Sequence, residues 1–143
     1  MDDIHYYSTK VEWCEGRIGE LSSPTFPSIK VATPPEFKSG VPNIWSPEHL
    51  FVASINICLM TTFLAVAENS NLEFISFSSE ATGKLEKIDG RYMISEVELN
   101  PVVKIKDEKF REKTLRIIDK SEKGCLISNS AKSKIILNPQ IIL

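Results

Sequence analysis

The chain has 143 residues, enough for one domain with a real core. Its 42% hydrophobic and 25% charged residues are ordinary for a soluble globular protein. A net charge of −2 provides no basic field, which argues against nucleic acid or an anionic membrane as a partner. The opening "MDDIHYYSTK" lacks the cationic and apolar regions of a signal peptide, so the expected location is the cytoplasm. Three cysteines, Cys14, Cys58 and Cys125, are too few and too odd in number for a secreted disulfide framework. With two histidines, His5 and His49, and no closely spaced cysteines, no metal site is expected.

In chain order, Tyr7, Thr9, Val11 and Trp13 alternate with polar neighbours and predict a strand. A tight turn is expected at Glu15-Gly16, followed by short strands over 18–21 and 29–32. "TPPEFKSGVPN" is a proline-rich loop that cannot join a central strand. The next segment, "SPEHLFVASINICLMTTFLAVAEN", runs from Leu50 to Ala67 without a charge, eighteen residues and long enough for a membrane span. Ser54, Asn56, Thr61 and Thr62 interrupt that run, and no cationic cluster flanks it. Ser46 suits an N-cap, Pro47 the first helical position and Glu48 the first turn. Asn69-Ser70-Asn71 supplies the stop. The expectation is a buried central helix, not a membrane anchor.

Beyond it, Ile75, Phe77, Ser79, Ala81, Gly83 and Leu85 fall on one face of a strand, with polar residues between them. Asp89-Gly90 marks a hairpin. The return strand carries Met93, Val97 and Leu99 on its apolar face and passes Pro101 to reach Ile105. Residues 107–123 predict an amphipathic helix with Phe110, Thr114, Ile117 and Ile118 on one side. Gly124 is expected to end it in the left-handed conformation. "CLISNSAK" reads as a short turn or helix, and "KIILNPQIIL" as a last strand. With no repeats or linkers, the expectation is one α+β domain over residues 1–143, its two helices interleaved with an antiparallel sheet.

The cysteines are the residues that could carry chemistry. Cys58 lies mid-helix with Ser54, Ile55, Thr61 and Thr62 on its face, and a lone cysteine there is most often a small buried hydrophobe. Cys125 follows a helix-ending glycine, where a second helix start could lower its pKa. Cys14 stands beside Trp13 with no partner group in view. Position alone leaves open whether Cys58 or Cys125 is the nucleophile. If it is Cys58, the middle of a helix offers no dipole, and a nearby cation is required to hold the thiolate.

The spacing becomes specific when these features are combined. A Pro-Glu helix start at Pro47-Glu48, a cysteine ten residues after that glutamate, and "CLISNS" at residues 125–130 occur in one chain. They resemble the signature helix and second-cysteine segment of the OsmC/Ohr family, the osmotically inducible and organic hydroperoxide resistance proteins. "ATPPEFKSGVPNIW" resembles the family's loop into that helix, and "CEGRIGEL" its early Gly-Arg turn. Leu126 after Cys125, and Asn56-Ile57 before Cys58, place the chain nearer the OsmC-like branches than the Ohr type.

The resemblance implies the OsmC-like fold, an intertwined homodimer and a thiol peroxidase acting on organic hydroperoxides, with hydrogen peroxide as a further substrate. It implies Cys58 as peroxidatic nucleophile, Cys125 as resolving thiol, Arg17 as the cation beside the thiolate and Glu48 as the arginine's anchor. No bound cofactor is expected; an external dithiol, in this family a dihydrolipoyl group on a lipoylated protein, is the implied reductant. An apolar pocket is expected from Phe51, Ile55, Met60, Phe37 and Trp45. Two other readings stay open: a small-ligand-binding module, and a redox sensor built on a Cys58–Cys125 disulfide. Helix geometry independently favours a dimer. Glu48 and Cys58 are separated by about 15 Å along one helix, too far for one site, whereas an antiparallel helix of a second copy would bring them together.

Overall fold

The computed structural model describes residues 3–143, and the chain divides into two compact units, Met1–Leu50 and Phe51–Leu143. The first holds an antiparallel three-stranded sheet of β1 (Lys10–Glu15), β2 (Ile18–Ser22) and β3 (Ile29–Ala32), in that spatial order. The turn between β1 and β2 falls at Gly16-Arg17, one residue later than the sequence reading, because Gly16 takes the left-handed position at φ 50°. β1 is shorter than its alternation predicts, starting at Lys10, and every residue in it is exposed within the chain. A bulge between Trp13 and Glu15 leaves Cys14 outside the β1–β2 register.

Helix α1 (Pro47–Asn69) starts where its cap predicts. Ser46 Oγ accepts the His49 N–H at 3.1 Å, satisfying an amide that has no partner inside the helix. Among the described residues this helix alone is long and apolar enough to cross a membrane, with a mean hydropathy of 2.1 over its best window. Burial is one-sided. Ile55, Cys58, Leu59, Phe63 and Ala67 are buried, whereas Phe51, Ile57, Met60 and Leu64 keep 37–56% of their surface exposed. The expected buried central helix is thus buried along one side within the chain taken alone.

The second unit is built on a four-stranded sheet. β4 (Ser76–Ile88) and β5 (Arg91–Lys104) form a long antiparallel hairpin. Its turn uses Asp89 and Gly90 at φ 52° and 77°, the two positive values that a two-residue hairpin loop needs. Phe77, Ser79, Ala81 and Gly83 turn inward as the alternation requires. A bulge between Lys84 and Leu85 then flips the phase, so Leu85 is 39% exposed and not on the apolar face. α2 (Arg111–Lys123) follows a single 3-10 turn over Glu108–Phe110, capped by Asp107. Gly124 ends α2 at φ −87°, so it is right-handed and its predicted left-handed role is not used. After α3 (Leu126–Ser130) the chain adds β6 (Lys134–Leu137) and β7 (Gln140–Ile142), two strands where one was expected, broken at Asn138-Pro139.

Both of these strands pair with β5 in parallel, which corrects the all-antiparallel expectation. The physical reason is the crossover: α2 and α3 carry the chain back to the starting end of the sheet before it re-enters. Pro101 of β5 falls between the β6 register, which stops at Leu99, and the β7 register, which starts at Val102. Its missing N–H thus coincides with a change of partner strand. The apolar face of the sheet is covered by the helices. Ile55 and Leu59 pack with Val97 and Leu99, and Phe63 and Ala67 pack with Val103, Ile117 and Ile118. This is a mixed α+β fold with two sheets and two main helices.

Candidate active site

Cys58 is carried by the buried stripe of α1, three residues after Ile55 and beside Leu59, so core packing fixes which way it faces. Cys125 is delivered from the other direction. α2 closes with the Gly124 N–H on Lys120 O at 3.0 Å and the Cys125 N–H on Glu122 O at 3.1 Å. The Cys125 backbone then extends to φ −71°, ψ 112° and caps α3. That reversal brings together two cysteines 67 positions apart in the chain, near enough for each thiol to shift the acidity of the other. Cys125 is wholly buried and Cys58 keeps 7% of its surface. Both are free thiols, while Cys14 is exposed, its sulfur 3.7 Å from Lys30 Nζ.

The two thiols are tuned in opposite directions. For Cys58, burial pushes the pKa up, but hydrogen bonds from the Cys125 thiol, the Ile127 N–H, the Thr62 hydroxyl and the Leu126 N–H outweigh it. Cys58 therefore ends below an ordinary thiol. Thr62 lies one helical turn on, with its Oγ1 3.8 Å from Cys58 Sγ. Burial raises Cys125, and donating to Cys58 raises it further; the Ser128 hydroxyl and N–H oppose this without overcoming it. The pair thus consists of one sulfur more acidic and one less acidic than an ordinary thiol. Two like groups need such a separation if they are to take different roles.

The other expected site residues lie as follows. Arg17 is exposed at the β1–β2 turn and lines an open cleft of about 470 Å³ with Glu15, Gly16, Ile18, Ser39 and Val41. Glu48 is half-buried in the first turn of α1. Phe37 is half-buried and Trp45 is 51% exposed, its ring edge-on to His49 at 6.3 Å. These four belong to the first unit, and Cys58, Cys125, Phe51 and Ile55 to the second. Phe51 is 37% exposed, whereas Ile55 has no exposed surface and packs in the core. Among the described residues no cluster of three or more His, Cys, Asp or Glu side chains could hold a metal.

Sequence reasoning looked for a cation to stabilise Cys58 and did not foresee the donors that α3 supplies. Leu126 and Ile127 act through their backbone N–H groups, which leave no trace in residue type. Ser128 sits in a motif the sequence displays, but only the fold turns it toward Cys125.

Comparison with known proteins places this arrangement. No curated protein sequence matches the chain. Among solved structures, an OsmC-like protein of unknown function from Vibrio cholerae superposes with a TM-score of 0.85 at 20% identity, covering 95% of this chain and 99% of that one. An organic hydroperoxide resistance protein from Elizabethkingia anophelis gives 0.78 at 20% identity over 99% of each chain. The organic hydroperoxide resistance protein OhrB of Bacillus subtilis gives 0.70 at 23% identity, covering 94% and 98%. At such identities the likeness establishes the shared fold. The sequence profile described as OsmC-like protein matches residues 40–139, a span that holds α1 with Cys58 and the α2–α3 reversal with Cys125, and on that match the chain belongs to the OsmC-like family.

Proposed function

We propose that this protein is a cysteine-based peroxidase that reduces organic hydroperoxides at the expense of a dithiol. The observation that carries the reading is the pair of free, buried thiols brought beside each other by the fold, with Cys58 made more acidic and Cys125 less so. Proteins of the same fold include organic hydroperoxide resistance proteins. Cys58 thiolate attacks the outer peroxide oxygen, the O–O bond breaks, and the alcohol leaves as Cys58 becomes a sulfenic acid. Cys125 then forms a disulfide with Cys58 and releases water. A dithiol, such as a dihydrolipoyl group on a lipoylated protein, restores both thiols by exchange.

In this reading Arg17 is the cation for the thiolate and Glu48 orients it, as the family resemblance implies. Phe51, Phe37 and Trp45 keep exposed apolar surface that an alkyl arm of the substrate would cover. The working form is a homodimer in the cytoplasm. Support comes from α1, whose outward side chains Phe51, Ile57, Met60 and Leu64 are apolar and uncovered within one chain. A second copy covering them would form an obligate interface, above roughly 2,000 Å² in total.

The deciding experiment is a coupled assay with cumene hydroperoxide and dihydrolipoamide on wild type and Cys58→Ser. Wild type consumes the dithiol in proportion to peroxide, and Cys58→Ser falls to the uncatalysed rate. Activity retained by Cys58→Ser, or a wild type that consumes no dithiol, overturns the reading. The second outcome would leave a ligand-binding or sensing role for the same fold.

A further inference from the structure

Five polar side chains are buried among the described residues, and four have ordinary partners. Ser46 Oγ pairs with His49, Thr114 Oγ1 donates to Phe110 O at 2.8 Å, Ser121 Oγ to Ile117 O at 2.6 Å and Ser133 Oγ to Ile94 O at 2.5 Å. Ser128 is the exception among these five. Its hydroxyl is in a residue only 8% exposed and makes no hydrogen bond of standard geometry. Asn56 Oδ1 and Ser79 Oγ, in half-buried residues, are also enclosed without a partner, but neither is among the groups that shift the acidity of Cys58 or Cys125. A buried hydroxyl left unpaired costs about 1–3 kcal/mol, so its retention calls for a reason.

The reason lies three residues back. Ser128 stands in the first turn of α3, whose cap is Cys125, so its buried, unpartnered hydroxyl shares that turn with the Cys125 sulfur, and Ser128 works to lower the pKa of that thiol. Burial holds that sulfur above the ordinary thiol range, and a protonated thiol offers Ser128 only a weak acceptor. The acceptor becomes strong once Cys125 loses its proton.

We propose that Ser128 is a positioning residue for the resolving thiol, holding its hydroxyl ready to donate to Cys125 Sγ when negative charge gathers there. In resolution the Cys125 S–H bond breaks, Cys125 Sγ forms the S–S bond with Cys58 Sγ, and the Cys58 S–O bond breaks. The departing hydroxyl takes the proton and leaves as water. Cys125 is oxidised, and the sulfenic sulfur of Cys58 is reduced. Ser128 changes no bond; it stabilises the thiolate form of Cys125 that attacks. The titratable group facing Cys125 from α1 is Cys58. From α2, Glu122 offers its backbone carbonyl, while its carboxyl interacts with Asp119 and Lys123.

This role rests on reading Cys58 and Cys125 as a redox pair, and a probe that needs no peroxidase activity separates the two claims. The probe is dithiodipyridine, applied to reduced protein in a Cys14→Ser background that removes the exposed thiol. Cys58 releases the first thiopyridone, and Cys125 releases the second as it closes the disulfide. In Ser128→Ala the first release is expected unchanged. Losing a hydrogen bond to a charged sulfur leaves about tenfold less Cys125 thiolate near neutral pH. The remaining thiolate is more nucleophilic, so the second release slows by about threefold. At alkaline pH the order reverses and Ser128→Ala becomes the faster protein, while Ser128→Thr restores wild-type behaviour. A structural disturbance slows release at every pH and cannot produce that crossing. If Ser128→Ala matches wild type at all pH values, or is slowed evenly, the role of Ser128 is overturned and the redox pair stands. If wild type releases only one thiopyridone, the redox pair itself is wrong and the role falls with it.

Discussion

Replacing Cys125 with alanine tests how Cys58 is made acidic, because the Cys125 thiol is the strongest of the hydrogen bonds that favour the Cys58 thiolate. A hydrogen bond to a charged group is worth about 1.5 kcal/mol at the low end of its range, where a weak S–H donor belongs. Its loss leaves roughly tenfold less Cys58 thiolate near neutral pH. Part of this is returned because a more basic thiolate is a better nucleophile, so the net slowing is about threefold. Cys125→Ser keeps an O–H donor at the same place and should react as fast as wild type or faster. The assay is the rate of first release from dithiodipyridine against pH, in Cys14→Ser protein. The midpoint for Cys125→Ala should lie above that of wild type, and the midpoint for Cys125→Ser should not. Cys125 is fully buried, so alanine also leaves a small void costing about 1 kcal/mol, which urea unfolding will register without altering the pH profile. If alanine and serine variants share one midpoint, the Cys125 thiol is not what holds the Cys58 charge.

Three other outcomes follow from the same structure. Gly83→Ala would set a Cβ 2.5 Å from Val52 Cγ2, an overlap that should cost about 1–3 kcal/mol in urea unfolding. Adding Val52→Ala should remove most of that penalty, and simple additivity of the two changes would show that the contact is not the cause. Cumene hydroperoxide should exceed hydrogen peroxide in kcat/KM by about tenfold, since burying one alkyl arm returns roughly 25 cal/mol per Å²; equal efficiency would contradict an apolar substrate surface. Glu48→Ala and Cys58→Ser chains refolded together should regain about a quarter of wild-type activity, since about half of the dimers are mixed and each of those holds one intact site of two; a heterodimer as inactive as its parents would refute sites shared between two subunits.

What the sequence disclosed, and what it hid, divides along a physical line. The limits of α1 were legible because the Ser46 hydroxyl, the Pro47 ring and the Asn69 stop act on the backbone within a turn of themselves. The Asp89-Gly90 hairpin was legible because two positive φ angles demand those residue types. Local chemistry of this kind is written in residue identity. Leu85 was misplaced because a bulge costs the alternation one step and leaves no marker in the side chains. The parallel pairing of β6 and β7 depends on where α2 and α3 return the chain, which no window of residues contains.

The site follows the same division. That Cys58 and Cys125 are a pair to look at was readable from motif and spacing, and the fold does bring them together, but their acidities were not readable. The groups that lower the Cys58 pKa include two backbone amides of α3 and a thiol 67 positions away, so that shift depends on α3 lying near α1. The sequence-level demand for a cation was therefore incomplete, since amides held by the fold can favour the same charge. One consequence is that the two thiols cannot be tuned independently, because each is among the causes of the other's shift. Ser128, in the same turn as those amides, is the point where the sequence supplies a separate control on the second sulfur.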